Sequence, residues 1–214
     1  FVTALIGGFS ALVQFDIKRV LAYSTVSQLG FMMIGMGTGA GESAMLHLFT
    51  HAFFKAGLFL AAGSLIHAAK HAAENKHLSL DVQDIRHLSG LRTALPTTFY
   101  TFIICGASLA GVPFFSGFQS KESILSSLVE WAATRGIAGN ALVGLAFLIS
   151  LLTIVYMIRL LWYLYWKQDA DLDALAGVHD VPMAMKIPMA VLSFGSLWWM
   201  VSVNPFSYDG WIMA

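Results

Sequence analysis

Residues 93–136 read TALPTTFYTFIICGASLAGVPFFSGFQSKESILSSLVEWAATRG, and how they cross or fail to cross an apolar layer decides the fold. Pro96 suits the first turn of a helix, the run to Gly111 is apolar, and Pro113 stops it. Phe114–Ser120 cannot continue it regularly. A second helix starts near Lys121 and ends near Gly136. At ~15 residues with several charges, it is too short and too polar to span a ~30 Å hydrocarbon core alone. The two pieces are therefore read as one interrupted crossing.

Working outward, apolar runs of membrane-spanning length lie at 20–38, 43–68, 140–166 and 183–203, and residues 1–15 look like the tail of another span. The expected fold is all-α, a polytopic transmembrane helix bundle of about six crossings with one broken helix. The chain forms a single domain over 1–214. Counting the interrupted segment as one crossing puts Lys18, Arg19, Lys70, Lys76, Arg86, Arg92, Lys167 and Lys186 on one side and only Arg135 on the other. The positive-inside rule then places the loops 16–19, 69–92 and 167–186 in the cytoplasm. Two full crossings would weaken that ratio to six against three. Trp162, Tyr163, Tyr165 and Trp166 form an aromatic belt at the end of a span.

Composition agrees. Of 214 residues, 57% are hydrophobic and 11% charged, against the ~25% charged usual in soluble domains. Twelve basic and twelve acidic residues cancel, so there is no basic surplus for nucleic acid. The single cysteine, Cys105, rules out a disulfide within the chain. The chain opens at Phe1 inside an apolar stretch and is read as a fragment of a longer membrane protein, not as one bearing a signal peptide.

Ionisable residues inside spans are functional candidates. His47, His51 and Lys55 recur every four residues, which sets them on one helix stripe ~12 Å long. Imidazole exchanges protons near neutrality, so the stripe has the composition of a proton relay. It is also compatible with histidines that only bond neighbouring helices, or with an i, i+4 zinc pair, although the Glu of H-E-x-x-H is missing. Lys121 and Glu122 begin the half-helix beyond the break, where Glu122 suits the positive end of the helix dipole and is expected to ion-pair with Lys121. Discontinuous helices are where transporters place ion sites; an interfacial helix with a snorkelling Lys121 is the alternative.

Weaker features are Tyr23, Ser24, Thr25, Ser27 and Gln28, a polar patch that either carries water beside the stripe or bonds helix to helix. Arg159 is explained by snorkelling as well as by mechanism. Asp169, Asp171, Asp173 and Asp180 imitate a calcium loop, but Ala174 stands where glycine is needed, and an acidic solvated loop is expected. His67, His71, His77 and His87 are read as surface. No cysteine cluster, G-x-G-x-x-G or P-loop is present, so no redox or nucleotide chemistry is expected in this chain.

Three strings, DIKRVLAYSTVSQLGFM (16–32 with Met33 following), HLFTHAFFKAGLFLAAGSLIHA (47–68) and LAGVPFFSGFQSKESIL (109–125), resemble the antiporter-like proton-translocating membrane subunits of respiratory complex I. The resemblance covers roughly 1–165; the part from 166, a cytoplasmic loop plus a further helix, is less diagnostic. It implies two inverted five-helix repeats, of which this chain holds the second and the helix after it. It also implies that His47, His51 and Lys55 lie on a central hydrophilic axis and that Lys121 sits in an outlet half-channel, with Glu122 where the family usually has aspartate. On that basis Lys55 stores a proton, His47 and His51 relay it, and Lys121 passes it on as its pairing with Glu122 changes. The implied function is proton translocation in the bacterial inner membrane, coupled to NADH oxidation and quinone reduction in other subunits. NADH, FMN, iron–sulfur clusters and quinone belong to those partners, and no cofactor is expected here. Related subunits of multisubunit sodium/proton antiporters and membrane-bound hydrogenases share the pattern, and a non-conducting scaffold is the remaining alternative.

Overall fold

The computed structural model describes residues 1–77, 81–167, 178, 180–204 and 206. Among the described residues seven α-helices run in chain order: α1 (Val2–Val13), α2 (Ile17–Gly37), α3 (Gly41–Asn75), α4 (Pro96–Ala110), α5 (Ser116–Ala133), α6 (Gly136–Leu161) and α7 (Met183–Gly195). A π-helical turn at Trp162–Trp166 extends α6, and one 3₁₀ turn follows at Trp198–Met200. By length and apolarity, Ile17–Gly37, Gly41–Asn75 and Gly136–Trp166 are long enough to cross a membrane.

The break falls after Gly111 as expected, but α5 begins at Ser116, five residues before the expected start near Lys121. α4 carries Pro at its first turn and stops at Gly111, whose φ of 79° folds the chain back. Gly111 and Val112 donate to the carbonyls of Ser108 and Ala107, a left-handed cap that closes the helix. Phe114 also has positive φ, 72°. α5 then restarts beside the end it left: the Gly117 amide donates to Ser108 Oγ at 3.1 Å. A Cβ on Gly117 would stand 1.8 Å from the Ser108 carbonyl oxygen, so only glycine admits this approach. α5 continues in the same sense, its far end packed with Phe1, Thr38 and Leu142 around a shared cavity.

The basic loops gather at one end, as the charge count requires. Ile17 donates to the Gln83 carbonyl and Ile85 to the Phe15 carbonyl, both at 2.9 Å, so the α1–α2 turn pairs with the 81–92 loop. Arg159 donates to the Gln14 carbonyl at 2.7 Å. Arg92 lies over Phe99 and reaches Trp166. Asp16 caps α2 by accepting from the Lys18 and Arg19 amides, two of the donors that the first turn leaves without an intrahelical partner. Arg135 sits at the opposite end, between α5 and α6.

Two expected boundaries are corrected. The third span does not end at residue 68: α3 has 35 residues, ~52 Å at 1.5 Å per residue, and carries His67 and His71 on an exposed helical extension. Ala68, Ala69, Ala72 and Ala73 are buried there, and this small-residue face keeps the helix wound into the polar segment. The last span is not a helix over 183–203. α7 has 13 residues and ends where a Cβ on Gly195 would strike the Phe53 ring. The Ser196 carbonyl is taken by the Ser116 amide (3.0 Å) and the Ser116 hydroxyl (3.1 Å), so the chain turns at the break in place of continuing. The calcium-loop imitation at Asp169, Asp171 and Asp173 lies outside the described residues; Asp180 ion-pairs with Lys186.

Candidate functional site

α3 runs through the middle of the bundle, packed by α2, α4, α5 and α7, and its polar stripe bonds to α2 and α5. His47, His51 and Lys55 are all buried, at 0%, 6% and 5% exposure. The His47 and His51 ring centroids are 6.1 Å apart, the rise of one i, i+4 step. What the stripe touches, however, is mostly on other helices.

His47 is the best connected. Its Nδ1 lies 2.8 Å from Ser120 Oγ on α5, and its Nε2 lies 3.0 Å from Gln28 Oε1 on α2. Gln28 Nε2 donates to Thr153 Oγ1 on α6 at 3.1 Å, and Thr50 Oγ1 lies 2.9 Å from Ser120 Oγ. Five buried side chains from four helices thus form one hydrogen-bonded string. Thr153 spends its only proton on the Ile149 carbonyl (3.1 Å), so it must accept from the Gln28 amide nitrogen. The amide oxygen therefore faces His47, and His47 Nε2 carries a hydrogen. On the Nδ1 side the Ser120 hydroxyl also reaches the Gly117 carbonyl at 3.3 Å and Thr50 Oγ1 at 2.9 Å, so it can either accept from His47 or donate to it.

Lys55 lies one turn beyond His51, its ammonium donating to the Leu21 carbonyl at 3.1 Å and to Ser24 Oγ. Both acceptors are on α2. His51 packs edge-on against Phe54, and its Nε2 is buried with no hydrogen-bond partner among the described residues. Thus the stripe exists as expected, but His51 is not bonded to either neighbour within it.

Lys121 is buried and projects into the break, where its ammonium donates to the Leu109 carbonyl at 2.6 Å. That carbonyl belongs to the last turn of α4, whose acceptors have no intrahelical donors. The expected ion pair with Glu122 is not formed. Adjacent residues on a helix point in different directions, and Glu122 is exposed while Lys121 is buried. The cation is held instead by the negative end of the first half-helix.

The polar patch on α2 divides. Ser24 and Gln28 belong to the site. Ser27 donates to the Ala4 carbonyl (2.8 Å) and ties α2 to α1, Thr25 bonds its own helix, and Tyr23 is exposed. Arg159 bridges to Gln14 and lies over Phe15 and Tyr163, away from the stripe. Sequence reasoning did not single out Thr50, Ser120, Thr153 or Tyr156. Their signal was available: Thr153 and Tyr156 share a face of the largely apolar α6, and Ser120 directly precedes Lys121. Among the described residues, no three His, Cys, Asp or Glu side chains cluster to hold a metal.

Comparison with known proteins places this geometry. Residues 1–166 match the family model described as NADH:quinone oxidoreductase/Mrp antiporter, transmembrane. The chain is 40% identical over 198 residues to NADH-quinone oxidoreductase subunit L of Mycobacterium tuberculosis, covering 92% of this chain and 29% of that protein. It is 39% identical over 197 residues to NADH-ubiquinone oxidoreductase chain 5 of Phytophthora infestans, covering 91% and 28%. Among solved structures it is similar to a chain of the membrane-bound sulfane sulfur reductase, an archaeal respiratory membrane complex (TM-score 0.77, 29% identity, 95% of this chain and 31% of that one). It is also similar to a chain of the Mrp complex from Dietzia sp. DQ12-45-1b (TM-score 0.72, 28% identity, 94% and 20%). The chain spans under a third of the length of these curated relatives. With its apolar spans and broken helix, it is an integral membrane protein that belongs to the NADH:quinone oxidoreductase/Mrp antiporter transmembrane family.

Proposed function

We propose that this chain carries one proton-transfer unit of a respiratory NADH:quinone oxidoreductase, complex I, in the bacterial inner membrane. NADH, FMN, iron–sulfur clusters and quinone would be bound by partner subunits, and other membrane subunits would flank this one in the bilayer. The observation that carries the reading is the enclosed string Thr153–Gln28–His47–Ser120–Thr50, whose Ser120 directly precedes the buried Lys121 at the helix break. Buried ionisable groups with no carboxylate partner are costly as pure scaffolding.

In this reading Lys55 holds a proton against Ser24 and the Leu21 carbonyl. His47 exchanges protons with Ser120 through Nδ1, with His51 as its neighbour along the stripe. Lys121, in the break, passes the proton on toward the end that carries Arg135, which is the periplasmic side. The end that gathers 16–19, 81–92 and 159–167 faces the cytoplasm, because its excess of basic residues satisfies the positive-inside rule. Glu122, exposed and unbonded to Lys121, takes no part as a pairing switch.

The test is NADH-driven acidification of inverted membrane vesicles carrying the full-length subunit in its complex, wild type against His47→Phe. Uncoupler-sensitive acidification per NADH oxidised should fall sharply in the variant; undiminished acidification would overturn the relay. The likeness to the Mrp complex supports a second reading, a sodium/proton antiporter subunit. Sodium-dependent proton exchange without NADH would favour it.

A further inference from the structure

We propose that Gln28 is a two-position amide switch for His47, and that Tyr156 on α6 is the positioning residue that makes its second position accessible. This rests on the reading of His47 as a relay.

A histidine that receives a proton on one ring nitrogen and releases it from the other ends in the opposite tautomer. Its neighbours must therefore satisfy both. On the Nδ1 side, the Ser120 hydroxyl either donates or accepts. On the Nε2 side stands Gln28, 1% exposed, which satisfies both tautomers only by turning its amide over. The structure shows one orientation: oxygen to His47 Nε2 at 3.0 Å, nitrogen to Thr153 Oγ1 at 3.1 Å.

In the turned orientation the amide oxygen faces α6 and needs a donor there. Thr153 has none to give, since its proton is held by the Ile149 carbonyl. Tyr156 supplies it. The side chain is fully buried, and its hydroxyl lies near Thr153, Gln28 and Ser24 without closing a hydrogen bond of ordinary geometry to any of them. A buried phenol left unpaired is costly, and here it is aimed at the one group whose alternative state requires a donor.

For one proton passing from His51 to Lys121, the steps balance as follows. His47 begins with its hydrogen on Nδ1, and the turned amide donates to Nε2. Protonated His51, 6.1 Å away between ring centroids, gives its proton through a bridging water to His47 Nε2 as the amide swings its oxygen to that nitrogen, and His47 becomes imidazolium. The Nδ1 proton then passes to Ser120 Oγ while the Ser120 proton passes, through water in the break, to the neutral Lys121 amine. One N–H is broken on His51 and one formed on Lys121, with no change in electron count. His47 is left with hydrogen on Nε2, the arrangement the structure shows.

The test uses vesicles with the full-length subunit in its complex, ¹⁵N-labelled at histidine, and reads tautomer populations by magic-angle-spinning NMR. The His47 signal is identified by its loss in His47→Phe. Wild type should show both tautomers. Tyr156→Phe keeps the ring, removes the donor, and should cut the Nδ1–H population about tenfold, the scale of one lost hydrogen bond. Thr153→Val removes the acceptor of the present orientation and should shift the ratio the opposite way. Acidification per NADH oxidised should fall in Tyr156→Phe. A single Nε2–H tautomer in wild type, or a ratio that neither substitution moves, would overturn the switch. If His47→Phe abolishes acidification while Tyr156→Phe leaves the ratio unchanged, only the switch fails; full acidification in His47→Phe removes the relay itself.

Discussion

Replacing Gly117 by alanine probes the broken helix directly. The added Cβ would stand 1.8 Å from the Ser108 carbonyl oxygen and 2.6 Å from its carbon, where ordinary contact begins at 3.4 Å. The obstacle is backbone, so no rotamer relieves it; the start of α5 must move ~1.5 Å from the end of α4. Such overpacking costs about 1–3 kcal/mol. The same displacement pulls the Gly117 amide from Ser108 Oγ, now at 3.1 Å, for about 1 kcal/mol more. The expected total is about 2–4 kcal/mol. Gly144 on α6 provides the control, because nothing lies within 4 Å of its Cβ position, and alanine there should be neutral or stabilise by about 0.5–1 kcal/mol through helix propensity. The assay is heat- or SDS-induced unfolding of the detergent-purified full-length subunit, with all proteins in one detergent. Gly117→Ala equal in stability to wild type, or shifted by as much as Gly144→Ala and in the same direction, would refute the close approach at the break.

Lys121 and Glu122 should show no coupling: a double-mutant cycle of Lys121→Met and Glu122→Gln read by proton pumping should give an interaction term within about 0.5 kcal/mol of zero, whereas an ion pair would give more. Arg159→Leu should lower stability by about 1.5–3 kcal/mol by removing a charged donor from the Gln14 carbonyl, with acidification per assembled complex unchanged; unfolding and vesicle acidification measured together check both halves. In the 81–92 loop, hydrogen bonding from Arg86 holds the Asp84 carboxyl below its ordinary 3.8. A depressed folded-state value means the pair stabilises above that ordinary value and loses its effect as pH falls through the folded one. The melting difference between wild type and Asp84→Asn should thus be constant at neutral pH, vanish in acid and shrink with salt, since the Arg86 side chain is 51% exposed.

Much of this architecture is written in short-range chemistry. Pro96, Gly111 and Pro113 mark the break because each acts on its own backbone, and the basic residues mark the loop ends because charge and apolar length act locally. The four-residue spacing of His47, His51 and Lys55 likewise fixes one helix face. Of the partners of that face, Ser24 and Gln28 stood out as part of a polar patch beside it, whereas Ser120 and Thr153 were not legible, because they depend on which helices enclose it. Gln28 and Ser120 reach His47 from opposite sides, and their sequence separations from it carry no period. Lys121 was expected to pair with its neighbour Glu122, yet the fold offered it a carbonyl 12 residues earlier, exposed by the chain's own break. The ends of α3 and α7 were misread for the same reason: a buried alanine face lengthens one, and the Ser196–Ser116 contact stops the other.

The central claim is that the buried stripe moves protons, and Lys55 tests it most directly. Lys55→Met keeps the length and removes the charge bonded to Ser24 and the Leu21 carbonyl. Inverted vesicles with matched amounts of assembled complex would be compared for NADH-driven acidification, each normalised to NADH oxidised with uncoupler present. The account predicts normal assembly with strongly reduced acidification per NADH. Equal acidification in wild type and Lys55→Met would contradict it and make the lysine structural.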